Sequence, residues 1–459
     1  MRDNLVADTD SYKFSHWPQY PPGTTYMHSY LESRGGKYAS TLFNGLQPIL
    51  KRLEKGFTME DVEECKALAE KHGEPFNYDG WKKMYEKYKG KIPVKIKAVA
   101  EGSIVPTSNC LMTVESTDPE FFWVVSWFET MLMRLWYPIT VATQSWTIKQ
   151  IIKEFLDRTS DDPGAELPFK LHDFGARGVS SKESSGIGGA AHLINFLGSD
   201  NIEGVRFANF FYKSEMSGFS IPASEHSTMT MWGGREGEPA AMLNMVNTYG
   251  GPGKLYACVS DSYDIMHAMK NIWGTQLKEA LIEKGGKLII RPDSGDPVTI
   301  LTELCKIAED KFGITYNNKG YKVFNHIGFI WGDGINEDTI NAILTAMTAL
   351  RYSTTNFAFG MGGALLQQVN RDTQKFAFKC SFAKVDGHGI DVFKEPKTDT
   401  GKNSKRGQLD LIRLKTHGDK YETIRGQDNM GSVLKTVFHN GVIMKEYTLD
   451  DIRRRASEF

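Results

Sequence analysis

Cysteine is scarce in this chain: five residues among 459 (Cys65, Cys110, Cys258, Cys305 and Cys380), with no CxxC pair. That scatter supports neither a disulfide framework nor a zinc site. Net charge is nearly absent as well, and a formal value of −1 removes any case for bulk attraction to nucleic acid or membrane. No apolar leader opens the sequence, which begins MRDNLVADTD, and this argues against secretion. The richest apolar stretch, 121–142, is interrupted by Glu129 and Arg134 and broken by Pro138, so it makes a poor membrane span. Internal repeats and low-complexity tracts are missing too. A cytoplasmic, reduced, soluble protein is the expectation.

With 40% apolar residues, a chain of this length can bury a large core and hold two structural units. Its organising stretch is KLIIRPDSGDP, 287–297, where a short buried strand, Lys287 to Ile290, stops at Arg291, Asp293, Ser294, Gly295 and Asp296. A strand ending in a cation and carboxylates beside glycine suits an anionic or metal-bound ligand. The same residues also read as a helix start, with Asp293 or Ser294 as N-cap.

The cassette recurs in FKLHDFGARG (169–178), GFSIPASEHS (218–227), LYACVSDSYD (255–264), GFIWGDGIN (328–336) and FAFGMGG (357–363). Helical spacing follows two of them: Ile265, Met269, Ile272 and Trp273, stopping at Gly274, and Ile340, Ile343, Leu344 and Met347 after an Asn336 N-cap. Strand, polar tip and helix, repeated roughly every thirty to fifty residues, predict a parallel βα array. In a closed barrel such tips converge on one face. The expected class is therefore α/β, an irregular (β/α) barrel over 143–380. A second, α+β domain is expected from residues 1–142 together with 381–459.

In that second domain Leu46, Ile49, Leu50 and Leu53 form one helical face. Val94, Ile96 and Ala98 alternate with Lys95 and Lys97 in a half-buried antiparallel strand followed by a hairpin. Asp118 and Pro119 start an aromatic helix expected to end near Tyr137. Asn440-Gly441 marks a type I′ hairpin. On composition alone the basic stretch 394–407 reads as a solvated loop.

Three patterns carry chemistry. In FGMGGALL, Gly360, Gly362 and Gly363 either admit a phosphate to backbone N–H groups or serve close packing. GIGGAA (186–191) matches a dinucleotide fingerprint formally, but no strand precedes it, so it reads as helix packing. Asp261, Asp264, Asp293, Asp296 and Asp333 fall at cassette ends, a set suited to Mg²⁺ with substrate phosphates and hydroxyls. Arg177, Arg291 and Arg371 supply cations, and His226 follows Glu225 at a tip, as a structural or an acid–base or nucleophilic group.

The ordered set HDFGARGVSS, NFLGSD, SIPASEHST, VSDSYD, IIRPDSG, GDGIN and GMGGALLQQVNRD, with DTDSYK before it and FKCS and FKEP after, resembles the nicotinamide phosphoribosyltransferase family of type II phosphoribosyltransferases. The resemblance spans nearly the whole chain. It implies condensation of nicotinamide with phosphoribosyl pyrophosphate to nicotinamide mononucleotide and pyrophosphate, in NAD salvage. Mg²⁺ is the implied cofactor and ATP a co-substrate, and the implied homodimer shares its active sites between subunits.

By the same resemblance Phe174 stacks on the pyridine ring, with Tyr12 from a second copy on the other face. Asp200 accepts from the carboxamide NH₂ and so selects nicotinamide over nicotinate, while Arg291 donates to the carboxamide oxygen. Arg177 and the second copy's Arg371 meet phosphates, Asp293 and Asp333 the ribose hydroxyls, and Gly362 with Gly363 the 5′-phosphate. Ser220, Ala223 and Gly332 are further implied contacts. His226 is the histidine that ATP phosphorylates, and Asp261 orients it. Lys379, Lys394 and Lys402 match phosphate-contacting lysines, which turns the basic loop from a solvated segment into a flap. Ala176, Met361 and Ala377 depart from the pattern, where tyrosine and two serines are common. The rival readings are a nicotinate-using relative, a Mg²⁺-dependent barrel lyase or hydrolase acting on a sugar phosphate, and a catalytically silent binding protein.

Overall fold

The computed structural model describes residues 2–398, 400–414, 420–427 and 429–458. It is mixed α/β and divides into two compact units: Met1–Thr143 with Phe211–Lys213 and Val369–Phe459, and Gln144–Phe210 with Ser214–Gln368.

The second unit is built on five parallel strands. In spatial order they are Leu171–Asp173, Phe357–Met361, Ile327–Trp331, Lys287–Arg291 and Leu255–Val259. Ile327–Trp331 is buried along its whole length, as expected of a parallel strand covered on both faces. Three parallel bridges extend the sheet beyond its two outer strands: Asp173 to Ser199, Gly198 to Phe219, and Ala223 to Ala257. Because every pairing is parallel, the carboxyl ends share one edge, and they deliver Asp173, Arg291 and Met361 there with Ser260 and Gly332 one residue beyond their strands.

Helices follow the tips. Lys182–His192 holds the GIGGAA glycines, and a Cβ on Gly189 would lie 2.7 Å from the Cα of Gly204, so these glycines serve close backbone packing. Pro297–Phe312 is capped by Asp296, which accepts from Thr299 N at 2.9 Å; neither Asp293 nor Ser294 is the N-cap, because Pro297 fits the first helical position. Asn336 caps Glu337–Ala349 with a capping box. The segment after Asp264 does not stop at Gly274: one short α turn passes into a π-helix, Ala268–Gln276, which buries Trp273 and donates its Nε1–H to Ser260 Oγ at 3.1 Å.

The first unit carries a seven-stranded sheet in which Thr24–Ser33 lies between Cys110–Ser116 and Phe376–Val385, antiparallel to both. Val94–Ala98 pairs with Cys110–Ser116, and the latter is buried throughout, so this hairpin is more enclosed than its alternation predicts. Asn440 (φ 48°) and Gly441 (φ 82°) make the I′-type turn between Lys435–His439 and Val442–Ile443. Leu46, Leu50 and Leu53 are buried on one face of Leu46–Lys55. The aromatic stretch is not one helix to Tyr137. Pro119–Phe121, Val124–Trp127 and Glu129–Met133 are short turns, and Trp136–Thr159 begins afresh with Pro138 inside its first turn, where a missing N–H costs nothing. Trp123 and Trp127 meet Trp81 edge-on, with ring centroids 5.2 and 5.1 Å away, deep in the core.

Candidate active site

A cavity of ≈ 340 Å³ runs through the second unit. Phe174, Asp200, Ser220, Ala223 and Arg291 line it at the carboxyl ends of the strands, and Lys170, Lys287, Gly328 and Asn356 line it towards their starts. Phe174 follows directly on a strand and is held by its N–H, which donates to Met361 O at 3.0 Å. The ring needs room from Gly360: a Cβ there would fall 2.0 Å from it. Gly360 therefore serves ring packing, whereas a Cβ on Gly363 would meet nothing within 4 Å, leaving that backbone open for a ligand.

Asp200 accepts from Ser220 Oγ at 2.5 Å. Arg291 lies 3.6 Å from Asp293 through Nη2, and its Nε is buried without a hydrogen-bond partner. A buried, unpaired guanidinium donor is costly, and a ligand oxygen would relieve it.

Beside Arg291 the acidic tips separate into two kinds. Asp264 and Asp296 cap helices, accepting from His267 N at 3.0 Å and Thr299 N at 2.9 Å, so they are structural and not part of a ligand set. Asp261, Asp293 and Asp333 remain. The Asp261 side chain is 4% exposed. Its Oδ1 lies 3.1 Å from His226 Nε2, and its Oδ2 accepts from Asp293 N at 2.9 Å and Ser294 Oγ at 2.7 Å. His226 itself is half exposed, at the first position of a short helix. Burial pushes the Asp293 carboxyl up; Arg291 opposes this and the Asp261 charge adds to it. The field at Asp293 also includes His226 and Asp333. Gly332 sits between Asp293 and Phe174, since a Cβ there would lie 3.3 Å from the one and 3.5 Å from the ring of the other.

Arg177 stands on the turn Ala176–Gly178, where Gly178 backs onto the Gly363 backbone. Gly362 precedes the four-residue helix Gly363–Leu366. Met361 is buried at the end of its strand. Tyr12, Arg371, Lys379, Lys394 and Lys402 belong to the first unit. Tyr12 is 55% exposed. Arg371 follows an Asn370 capping box. Lys379 lies 3.8 Å from Glu129; burial lowers its pKa and Glu129 resists this, with Lys394, Arg34 and Lys13 lowering it further. Lys394 N–H donates to Ser404 Oγ at 2.9 Å and Ser404 N–H to Lys394 O at 3.1 Å, and Lys402 O accepts from Arg34 at 3.5 Å. Ala377 is buried in a strand.

Sequence reasoning missed His172, Asp173, Lys170 and Lys287. His172 and the two lysines line the cavity, and burial lowers the pKa of all three. Their positions inside or just before strands gave no polar-tip signal. Among the described residues, no group of three or more His, Cys, Asp or Glu side chains could hold a metal ion, and no helix is long and apolar enough to cross a membrane.

Comparison with known proteins gives a consistent result. The family model for the nicotinate phosphoribosyltransferase (NAPRTase) family matches residues 169–442, and that for the N-terminal domain of nicotinamide phosphoribosyltransferase matches residues 4–96. The chain is 52% identical to a nicotinamide phosphoribosyltransferase of Xanthomonas campestris pv. campestris, covering 99% of this chain and 98% of the relative. It is 31% identical to one from Acinetobacter baylyi, covering 100% and 98%. Among solved structures, nicotinate-nucleotide pyrophosphorylase from Pyrococcus furiosus superposes with a TM-score of 0.65 at 16% identity, covering 100% of this chain and 96% of that one. Human nicotinic acid phosphoribosyltransferase gives 0.58 at 16% identity, covering 98% and 93%. At those identities the two structures speak for the fold alone.

Proposed function

The chain belongs to the nicotinamide phosphoribosyltransferase family, a branch of the NAPRTase family, and from that premise we propose that it joins nicotinamide to phosphoribosyl pyrophosphate, releasing pyrophosphate. The observation that carries this reading is the single cavity lined by Phe174, Asp200 and Arg291. A flat ring, an acceptor and a donor are the complement of an aromatic carboxamide. Asp200 would accept from the amide N–H and repel the carboxylate of nicotinate. The parallel sheet is read as an irregular (β/α) barrel, supported by the bridges that carry it from Asp173 through Ser199 and Phe219, and from Ala223 to Ala257.

Bond breaking at ribose C1 develops oxocarbenium character and places charge on the leaving pyrophosphate. The pyridine nitrogen is already an unprotonated nucleophile at pH 7, so the chain's task is alignment and charge neutralisation. Phe174 would hold the ring, and Asp293 and Asp333 the ribose hydroxyls. Gly362 and Gly363 would take the 5′-phosphate on their backbone, and Arg177 would neutralise phosphate charge. Ser220 steadies Asp200, and Ala223 and Gly332 leave room for substrate. Mg²⁺ would supply charge neutralisation on pyrophosphate. The sparse carboxylates at Asp261 and Asp293 suit an ion that arrives largely on substrate phosphates.

Asp261 facing Nε2 leaves Nδ1 of His226 as the nitrogen to attack the γ-phosphorus of ATP. The N–P bond forms as the bond to ADP breaks, and water later releases inorganic phosphate. Tyr12 and Arg371 are assigned to the site of a second subunit in a homodimer, which the exposure of Tyr12 supports, and Lys379, Lys394 and Lys402 to phosphate contacts. A cytoplasmic location is supported by five unpaired cysteines.

One assay tests the function: the protein with nicotinamide, phosphoribosyl pyrophosphate and Mg²⁺, with and without ATP. Mononucleotide should form in both and faster with ATP. A protein that yields none from nicotinamide but does so from nicotinate belongs to the rival specificity.

A further inference from the structure

We propose that Asp173 is the positioning residue that fixes Phe174 and Asp200 relative to each other, and thereby sets selectivity for the carboxamide. The proposal rests on the reading of those two side chains as the base contacts.

Asp173 is fully buried at the carboxyl end of its strand. One carboxylate oxygen accepts from Gly175 N at 2.7 Å and the other from Asn201 Nδ2 at 2.9 Å. Its main-chain oxygen accepts from Asp200 N at 3.0 Å. Phe174 is thus held between Asp173 and Gly175, and Asp200 is held through its own N–H and through the next side chain. Asn201 cannot turn its amide to suit another neighbour. Its oxygen accepts from Ser185 Oγ at 2.9 Å and Gly204 N at 3.1 Å, and its nitrogen also donates to Ser185 O at 3.0 Å.

Only an acceptor fits opposite that nitrogen, and only an acceptor fits opposite Gly175 N. A carboxylate offers two acceptors at once, and asparagine only one. Burial accordingly pushes the Asp173 carboxyl up to about 6, against the pull of these two donors. A side chain needed only to fill space would not carry that cost.

In Asp173→Asn, the new N–H₂ must face one of two donors, Gly175 N–H or the Asn201 N–H₂, so one of the two side-chain bonds breaks at nearly constant volume while the main-chain bond to Asp200 stays. KM for nicotinamide should rise about tenfold, with the nicotinamide-to-nicotinate preference falling by a similar factor. KM for phosphoribosyl pyrophosphate should stay within about twofold. Ser185→Ala loosens Asn201 without touching Asp173 and should raise KM for nicotinamide about threefold, which keeps the test open if Asp173→Asn does not fold. Unchanged KM and preference in the folded variants overturn the proposal, as does an equal rise in both KM values. A wild type that does not use nicotinamide overturns the underlying reading instead.

Discussion

In the antiparallel sheet, Glu115 lies 3.6 Å from His28 Nδ1; at the parallel strand tips, Asp261 lies 3.1 Å from His226 Nε2. The pairs are chemically alike and their surroundings are not. His28 and Glu115 are 1% and 10% exposed, and Tyr26, Lys95 and Gln427 also bond the Glu115 carboxylate. Burial would raise that carboxyl, but the imidazole of His28 beside it and bonds from Lys95, Tyr26 and Gln427 prevail and hold it well below the usual carboxylate range. His226 is 48% exposed, and beside Asp293, which its charge reaches, Gly332 borders the Phe174 ring of the cavity. A saturated cluster braces a fold, whereas one with a face left open can bind and react.

The strongest contrast should come from the histidine at the strand tips. His226→Ala is expected to lower ATP hydrolysis by on the order of 10³-fold while slow mononucleotide formation and thermal stability persist. Unchanged hydrolysis would remove the phosphohistidine role. In the buried cluster the effects should reverse: Glu115→Ala leaves His28, Lys95 and Tyr26 without their partner. It should cost about 3–5 kcal/mol in denaturant unfolding, with KM values of the folded fraction unaltered. A shifted KM with full stability would show the cluster to be functional.

Asp200→Ser should narrow the preference for nicotinamide by about tenfold, since an acceptor left unpaired once a bound base covers it costs about 1–3 kcal/mol. Turnover of both bases by both proteins decides it. Equal use of the two bases by the wild type would refute the role given to Asp200.

The smallest expected effect is in stability against pH. Asp173, at about 6, binds its proton more tightly folded than unfolded, so its contribution is present below about pH 4 and is lost as pH rises to about 6. Glu115, held low, contributes stability above its unfolded value near 4.3 that is lost as pH falls. Subtracting the unfolding curve of Asp173→Asn from the wild type should therefore give a difference of opposite slope to that for Glu115→Gln.

Much of the candidate site was legible because apolar runs lead into it: Phe174, Asp293 and Asp333 follow buried strands, Arg291 closes one, and His226 opens a short helix after the bridge at Ala223. Asp264 and Asp296 stand in the same kind of place yet cap helices, because a proximal N–H claims each carboxylate first. Gly360 looked like its neighbours Gly362 and Gly363 and proved to be space for a ring.

The pattern of apolar runs and polar tips determined the parallel array and its chemical edge, because strand burial and helix starts are local in the chain. Tertiary structure alone decided which carboxylates stay open to a ligand and which are claimed by buried partners. Asp173 meets its partner Asn201 twenty-eight positions along the chain. Hydrogen-bond saturation is a property of neighbours in space, and no spacing of residues along a strand records it.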